Sequence, residues 1–111
     1  MLISILAAVM LQTSPLTSAQ CIVNGVGPAP CHIMVKREDN YVGYGFAVEG
    51  ASPLVFGGLR VNDTQSSVAL VTAGDTTVNA DGACMTKPAD SMLGCTAVVN
   101  GQRVTVIAKV N

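Results

Sequence analysis

The sequence predicts an all-β domain: a small, disulfide-stapled antiparallel sandwich or barrel of six or seven strands that ends in a C-terminal hairpin. Three observations carry this. Short β-branched runs separated by turn residues recur throughout residues 20–111. No window there sustains the i, i+3, i+4 apolar spacing of a long helix. Four cysteines, all within that stretch, offer two staples to a domain so small that its core alone leaves it marginally stable.

Residues 1–19, MLISILAAVMLQTSPLTSA, precede the domain and read as a secretory signal peptide. An apolar run extends from Leu2 to Leu11, and Thr17 and Ala19 stand at minus three and minus one of a cut before Gln20. The run falls short of the roughly 20 apolar residues that cross a bilayer. Gln20 stands where a lipoprotein signal needs a small residue before its cysteine, which argues against a lipid anchor at Cys21. The expected product is secreted and extracellular, a single domain over residues 20–111.

CIVNGVGPAPCHIMVKRED opens that domain, with Gly25, Gly27, Pro28 and Pro30 reading as a turn-rich connection ahead of a strand at Cys31. Cys21 and Cys31 lie too far apart for a C-x2-C zinc pair, as do Cys84 and Cys95, and His32 is the only histidine. Structural disulfides are therefore expected among Cys21, Cys31, Cys84 and Cys95. Three pairings are open, and loop-closure entropy favours the first cysteine with the third and the second with the fourth.

Residues 32–50 predict a hairpin with a polar turn at REDN, followed by a strand whose Val42, Tyr44, Phe46 and Val48 alternate with Gly43, Gly45 and Ala47. PLVFGGLRV and SSVALVT are further strands, with a bulge or bend at Gly57-Gly58 and a turn at residues 62–65. Gly74 to Gly94 reads mostly as loop, with one short strand near Thr76 to Asn79. In CTAVVNGQRVTVIAKV, Asn100-Gly101 fits the two positive-φ positions of a type I′ turn. Setting Val99 opposite Gln102 brings Cys95, Ala97, Val104, Val106, Ala108 and Val110 to one face. Thr96, Val98, Arg103, Thr105, Ile107 and Lys109 fall on the other.

Composition excludes several functions. The net charge is −1 with no basic run, so neither nucleic acid nor an anionic membrane surface is an expected partner. With no Trp, two Phe and two Tyr, a platform for stacking bases or sugars is hard to build. Asp75, Asn79 and Asp81 suggest calcium, yet in an EF-hand register the last ligand would be Pro88, so no metal or other cofactor is expected. Glu38 and Asp39 are adjacent and point apart on an extended chain, which does not suit a glycosidase pair. No catalytic residues are assigned. His32, the only imidazole, is the one candidate general base, but no G-x-S-x-G or similar signature accompanies it. Asn62-Asp63-Thr64 is an N-glycosylation sequon on a turn. Lys36-Arg37 reads as part of a charged hairpin turn rather than a processing site, because cutting there would strand two cysteines on a propeptide.

The signal peptide, the short mature chain, the four cysteines and the β-rich patterning together resemble the small secreted proteins of filamentous fungi, many of them candidate effectors. CIV followed by HIMVKR and later strands is similar in layout to the compact six-stranded β-sandwich effectors and host-selective toxins of plant pathogens. The resemblance implies a bridge from Cys21 to a downstream cysteine; the stretch from Gly74 to Gly94 is longer than in the shortest members. The expected function is that of a non-enzymatic interaction protein, an effector or toxin binding a host or competitor protein. Its expected contact surfaces are the Gly74–Gly94 stretch and the hairpin face bearing Val98, Arg103, Ile107 and Lys109. The rival for that face is a second sandwich layer burying Val98 and Ile107. The rival functions are a small hydrolase using His32 and a protease inhibitor presenting a rigid loop.

Overall fold

The computed structural model describes Gln12, Thr13 and residues 16–111. The apolar run from Leu2 to Leu11 lies outside them. The strands are β1 (Gln12–Thr13), β2 (Thr17–Val23), β3 (Val26–Glu38), β4 (Tyr41–Val48), β5 (Leu54–Asn62), β6 (Gln65–Ala73), β7 (Thr76–Lys87), β8 (Met92–Val99) and β9 (Gln102–Val110), with a short 3-10 helix at Pro88–Asp90. From β2 to β9 each strand pairs antiparallel with the next, and β9 pairs back onto β2. Eight strands thus close an up-and-down barrel, with β1 pairing Lys36 and Arg37 along the edge of β3 that β2 also occupies. Closure leaves no free sheet edge along the ring.

The count of eight exceeds the six or seven expected, and the reason is local. Residues from Gly74 to Gly94 are not a loop but the twelve-residue β7, a 3-10 turn and the start of β8. Their Gly, Asp and Thr content masked a period-two pattern. Pro28 and Pro30 likewise sit inside β3, after a tight turn at Asn24-Gly25, rather than in a connecting loop. Pro30 turns its nitrogen toward the β4 side just beyond that strand's end, where only the Glu49 N–H reaches its carbonyl. Its missing donor costs the ladder nothing there.

Eight strands enclose a space that side chains can fill. Phe46 and Phe56 meet edge to face inside it, ring centroids 5.9 Å apart, and share one buried cluster with Val106, Ala97, Ala108 and Ala19. Apolar groups fill the inside, while Lys36, Lys87, Arg103 and Lys109 stand on exposed outward positions, the reverse of a transmembrane barrel with its polar lumen.

Both disulfides lie in this interior and join strand neighbours: Cys21 to Cys31 between β2 and β3, and Cys84 to Cys95 between β7 and β8. The entropy argument for long loops is therefore overturned. Cys84 and Cys95 are directly opposed in the ladder, and the register decides the pairing before loop length can. Two bridges and no free cysteine suit an oxidising compartment.

The C-terminal hairpin has the expected register, Val99 with Gln102, Ala97 with Val104 and Cys95 with Val106. Asn100 and Gly101 take φ of 50° and 80°. A β-branched residue resists that geometry, so Gly101→Val is expected to cost about 1 kcal/mol or more. Urea denaturation checks it, and an unchanged midpoint would refute the turn's contribution.

Candidate functional site

On the outer wall of β7, β8 and β9, alternate residues line up across the strands. One row runs Met85, Gly94, Ile107 and then Ile22 of β2; the next runs Lys87, Met92, Lys109 and Gln20. Gly94 has no side chain, so the row dips between Met85 and Ile107. A Cβ built there would meet only the Val106 carbonyl, at 3.9 Å. The result is a groove floored by Gly94, walled by Met85, Met92 and Ile107, and flanked by Lys87, with room for about 220 Å³. It continues past Gly94 over Ala83, Thr96 and Thr105.

The continuation is held rigid by hydrogen bonds. The Thr96 and Thr105 hydroxyls lie 3.1 Å apart, and the Thr105 N–H donates to Asn24 Oδ1 at 2.8 Å. Arg103 stands beyond them opposite Val98, with Asp81 on the far side of Val98. Met85 and Ile107 are 47% and 41% exposed and Val98 is 39% exposed, so the expected rival, a buried sandwich layer over Val98 and Ile107, is not what forms. A single closed wall has water on its outer side. Among the described residues Lys87, Arg103 and Lys109 make no ion pair, the one bridge being Arg60 with Asp63.

The sequence pointed to Arg103, Ile107 and Lys109 by name and to Met85, Lys87, Met92 and Gly94 only as part of the Gly74–Gly94 stretch, which it read as loop rather than as the strands that line them up. A signal was available: in ACMTK the outward Ala83, Met85 and Lys87 alternate with Cys84 and Thr86, a strand pattern hidden inside a segment read as loop.

The other candidates are placed as follows. His32 is exposed on β3, opposite Ser18 on one side and Ala47 on the other, beside a shallow depression that includes Glu49. No hydrogen bond joins it to Ser18 and no ion pair to Glu49 among the described residues. Asn62 lies exposed where β5 turns into β6, its Oδ1 accepting from the Thr64 N–H at 2.9 Å and from the Thr64 hydroxyl at 3.2 Å. Lys36 and Arg37 are strand residues of β3, and the turn itself is Asp39-Asn40. Asp75, Asn79 and Asp81 are strung from a turn along β7, and no group of three or more His, Cys, Asp or Glu that could hold a metal occurs among the described residues.

Compared with known proteins, the chain matches no family model, and no curated sequence or solved structure is significantly similar to it.

Proposed function

We propose that this chain is a secreted, non-enzymatic interaction protein, an effector or toxin in character, that holds a host or competitor protein on the outer face of β7, β8 and β9. The observation that carries the reading is the groove between Met85 and Ile107 over Gly94. Methionine side chains adapt to the shape of an apolar partner, and a closed, twice-bridged barrel presents them on a wall that does not yield. Lys87, Lys109 and the more distant Arg103 carry no internal partner among the described residues, so the fitting segment is apolar with flanking carboxylates.

The test uses the protein purified from culture medium as bait, followed by titration of the captured partner. Gly94→Leu places a side chain in the notch, its Cβ only in ordinary contact with the Val106 carbonyl at 3.9 Å, and is expected to weaken binding at least tenfold; Lys109→Glu should weaken it further at low salt than at high. Equal affinity for wild type and both variants would overturn the groove reading. Hydrolase substrates are assayed on the same preparation, since Ser18 and His32 oppose one another. Turnover abolished by His32→Ala would overturn the non-enzymatic reading.

A further inference from the structure

The expected cut before Gln20 falls inside a stave of the barrel. Ala19, 1% exposed, sits between Cys31 of β3 and Val110 of β9, and Thr17 lies opposite Ile33. The Glu49 N–H donates to the Pro30 carbonyl on the β4 side. The pleat therefore turns the backbone groups of Cys31 and Ile33 to the other edge, where Ala19 and Thr17 meet them. Across the stave the Asn111 N–H donates to the Ser18 carbonyl at 3.2 Å. Residues 17–19 thus join β3 to β9 at the end of the barrel where those two strands do not otherwise pair, while Gln20 and Cys21 continue to join them further along.

We propose that removal of residues 1–19 opens a seam one strand wide between β3 and β9, and that this seam takes up an extended segment of a partner protein. The proposal rests on the secretory cut assumed in the function above. Losing one strand leaves its two neighbours about 9–10 Å apart, twice the usual spacing, too far to bond directly and wide enough for one chain. The gap exposes the N–H and C=O groups of Cys31 and Ile33 and the N–H of Asn111, an edge that templates strand addition.

The vacated stave defines what fits. A side chain in the place of Ala19 points into the core beside Cys31 and must be small. One in the place of Ser18 points outward and is unconstrained. One in the place of Thr17 enters the barrel mouth beside Ile33, Tyr44, Leu93 and Val110, a space of about 240 Å³, and is favoured if apolar and larger. The partner segment is therefore an extended chain reading apolar, any, small.

The experiment takes the protein secreted into culture medium, fixes its first residue by intact mass, and titrates the synthetic peptide QTSPLTSA, residues 12–19, while following amide exchange. The expected results are a chain starting at Gln20, saturable peptide binding, and at least tenfold slower exchange at Cys31 and Ile33 once the peptide is bound. The same peptide ending in leucine should bind at least tenfold more weakly. A secreted chain that keeps residues 17–19 would overturn the seam while leaving secretion intact, and absence from the medium would overturn both. Failure to saturate, or protection of Cys31 and Ile33 before peptide is added, would also overturn it, as would a dimer whose second copy fills the gap. None of these readouts involves Met85, Gly94 or Ile107, so their failure leaves the groove reading untouched.

Discussion

Replacing Phe56 with alanine is expected to cost about 4 kcal/mol, a large part of the 5–15 kcal/mol that holds a domain of this size together. Phe56 has no exposed surface and packs edge to face on Phe46, and its ladder neighbours are Tyr44 on one side and Val71 on the other, both buried. The two rings are the only phenylalanines in the chain, and the buried cluster they belong to also includes small residues such as Ala97 and Ala108. A wall closed on itself by eight ladders cannot move inward to fill the vacated space, so the loss includes a cavity term as well as lost burial. Urea denaturation of Phe56→Ala against wild type measures it, with Phe56→Leu expected to lose markedly less. A loss for Phe56→Ala under about 1 kcal/mol would mean that the interior is not built around these rings.

What was legible in the sequence was what neighbouring residues decide. The Asn100-Gly101 turn set the register of β8 on β9, and from it followed which residues of that hairpin face inward. Val42, Tyr44, Phe46 and Val48 announced the inner face of β4 in the same way. Less visible was closure, because the pairing of β2 with β9 joins residues some ninety positions apart and leaves no local mark. The bridges were misread for a related reason: Cys84 and Cys95 face each other only if β7 exists, and β7 was hidden by its own Gly, Asp and Thr residues. The groove suffered the same loss, since half of its wall belongs to that strand. Asn62 was correctly seen beside a turn, whereas His32, expected at the start of a strand, lies midway along β3, and the Ser18–His32 opposition depends on a residue assigned to the signal peptide.

Gly82 is, with Gly58, one of the two positions where a Cβ would run into backbone at about 2 Å, and Gly82→Ala is expected to cost about 3 kcal/mol or more, the upper end for overpacking. A Cβ at Gly82 would stand 1.9 Å from the Thr96 carbonyl oxygen and 2.6 Å from the Ala97 Cα, so backbone rather than a flexible side chain is in the way. The reason lies in how β7 bends. Between Asn79 and Gly82 it carries one residue more than β6 does between Val68 and Leu70, a bulge that increases twist and presses β7 onto β8. Relief would require β7 and β8 to part, and Cys84–Cys95 ties them two residues further on. The control is Gly94→Ala on the same sheet, where the new Cβ meets only the Val106 carbonyl at 3.9 Å and the change should be within about 0.5 kcal/mol. Denaturation midpoints of the two variants separate a demand for close approach at one glycine from a general preference against losing glycine. Equal midpoints for Gly82→Ala and Gly94→Ala would mean that the bend at Gly82 is not what closes the barrel.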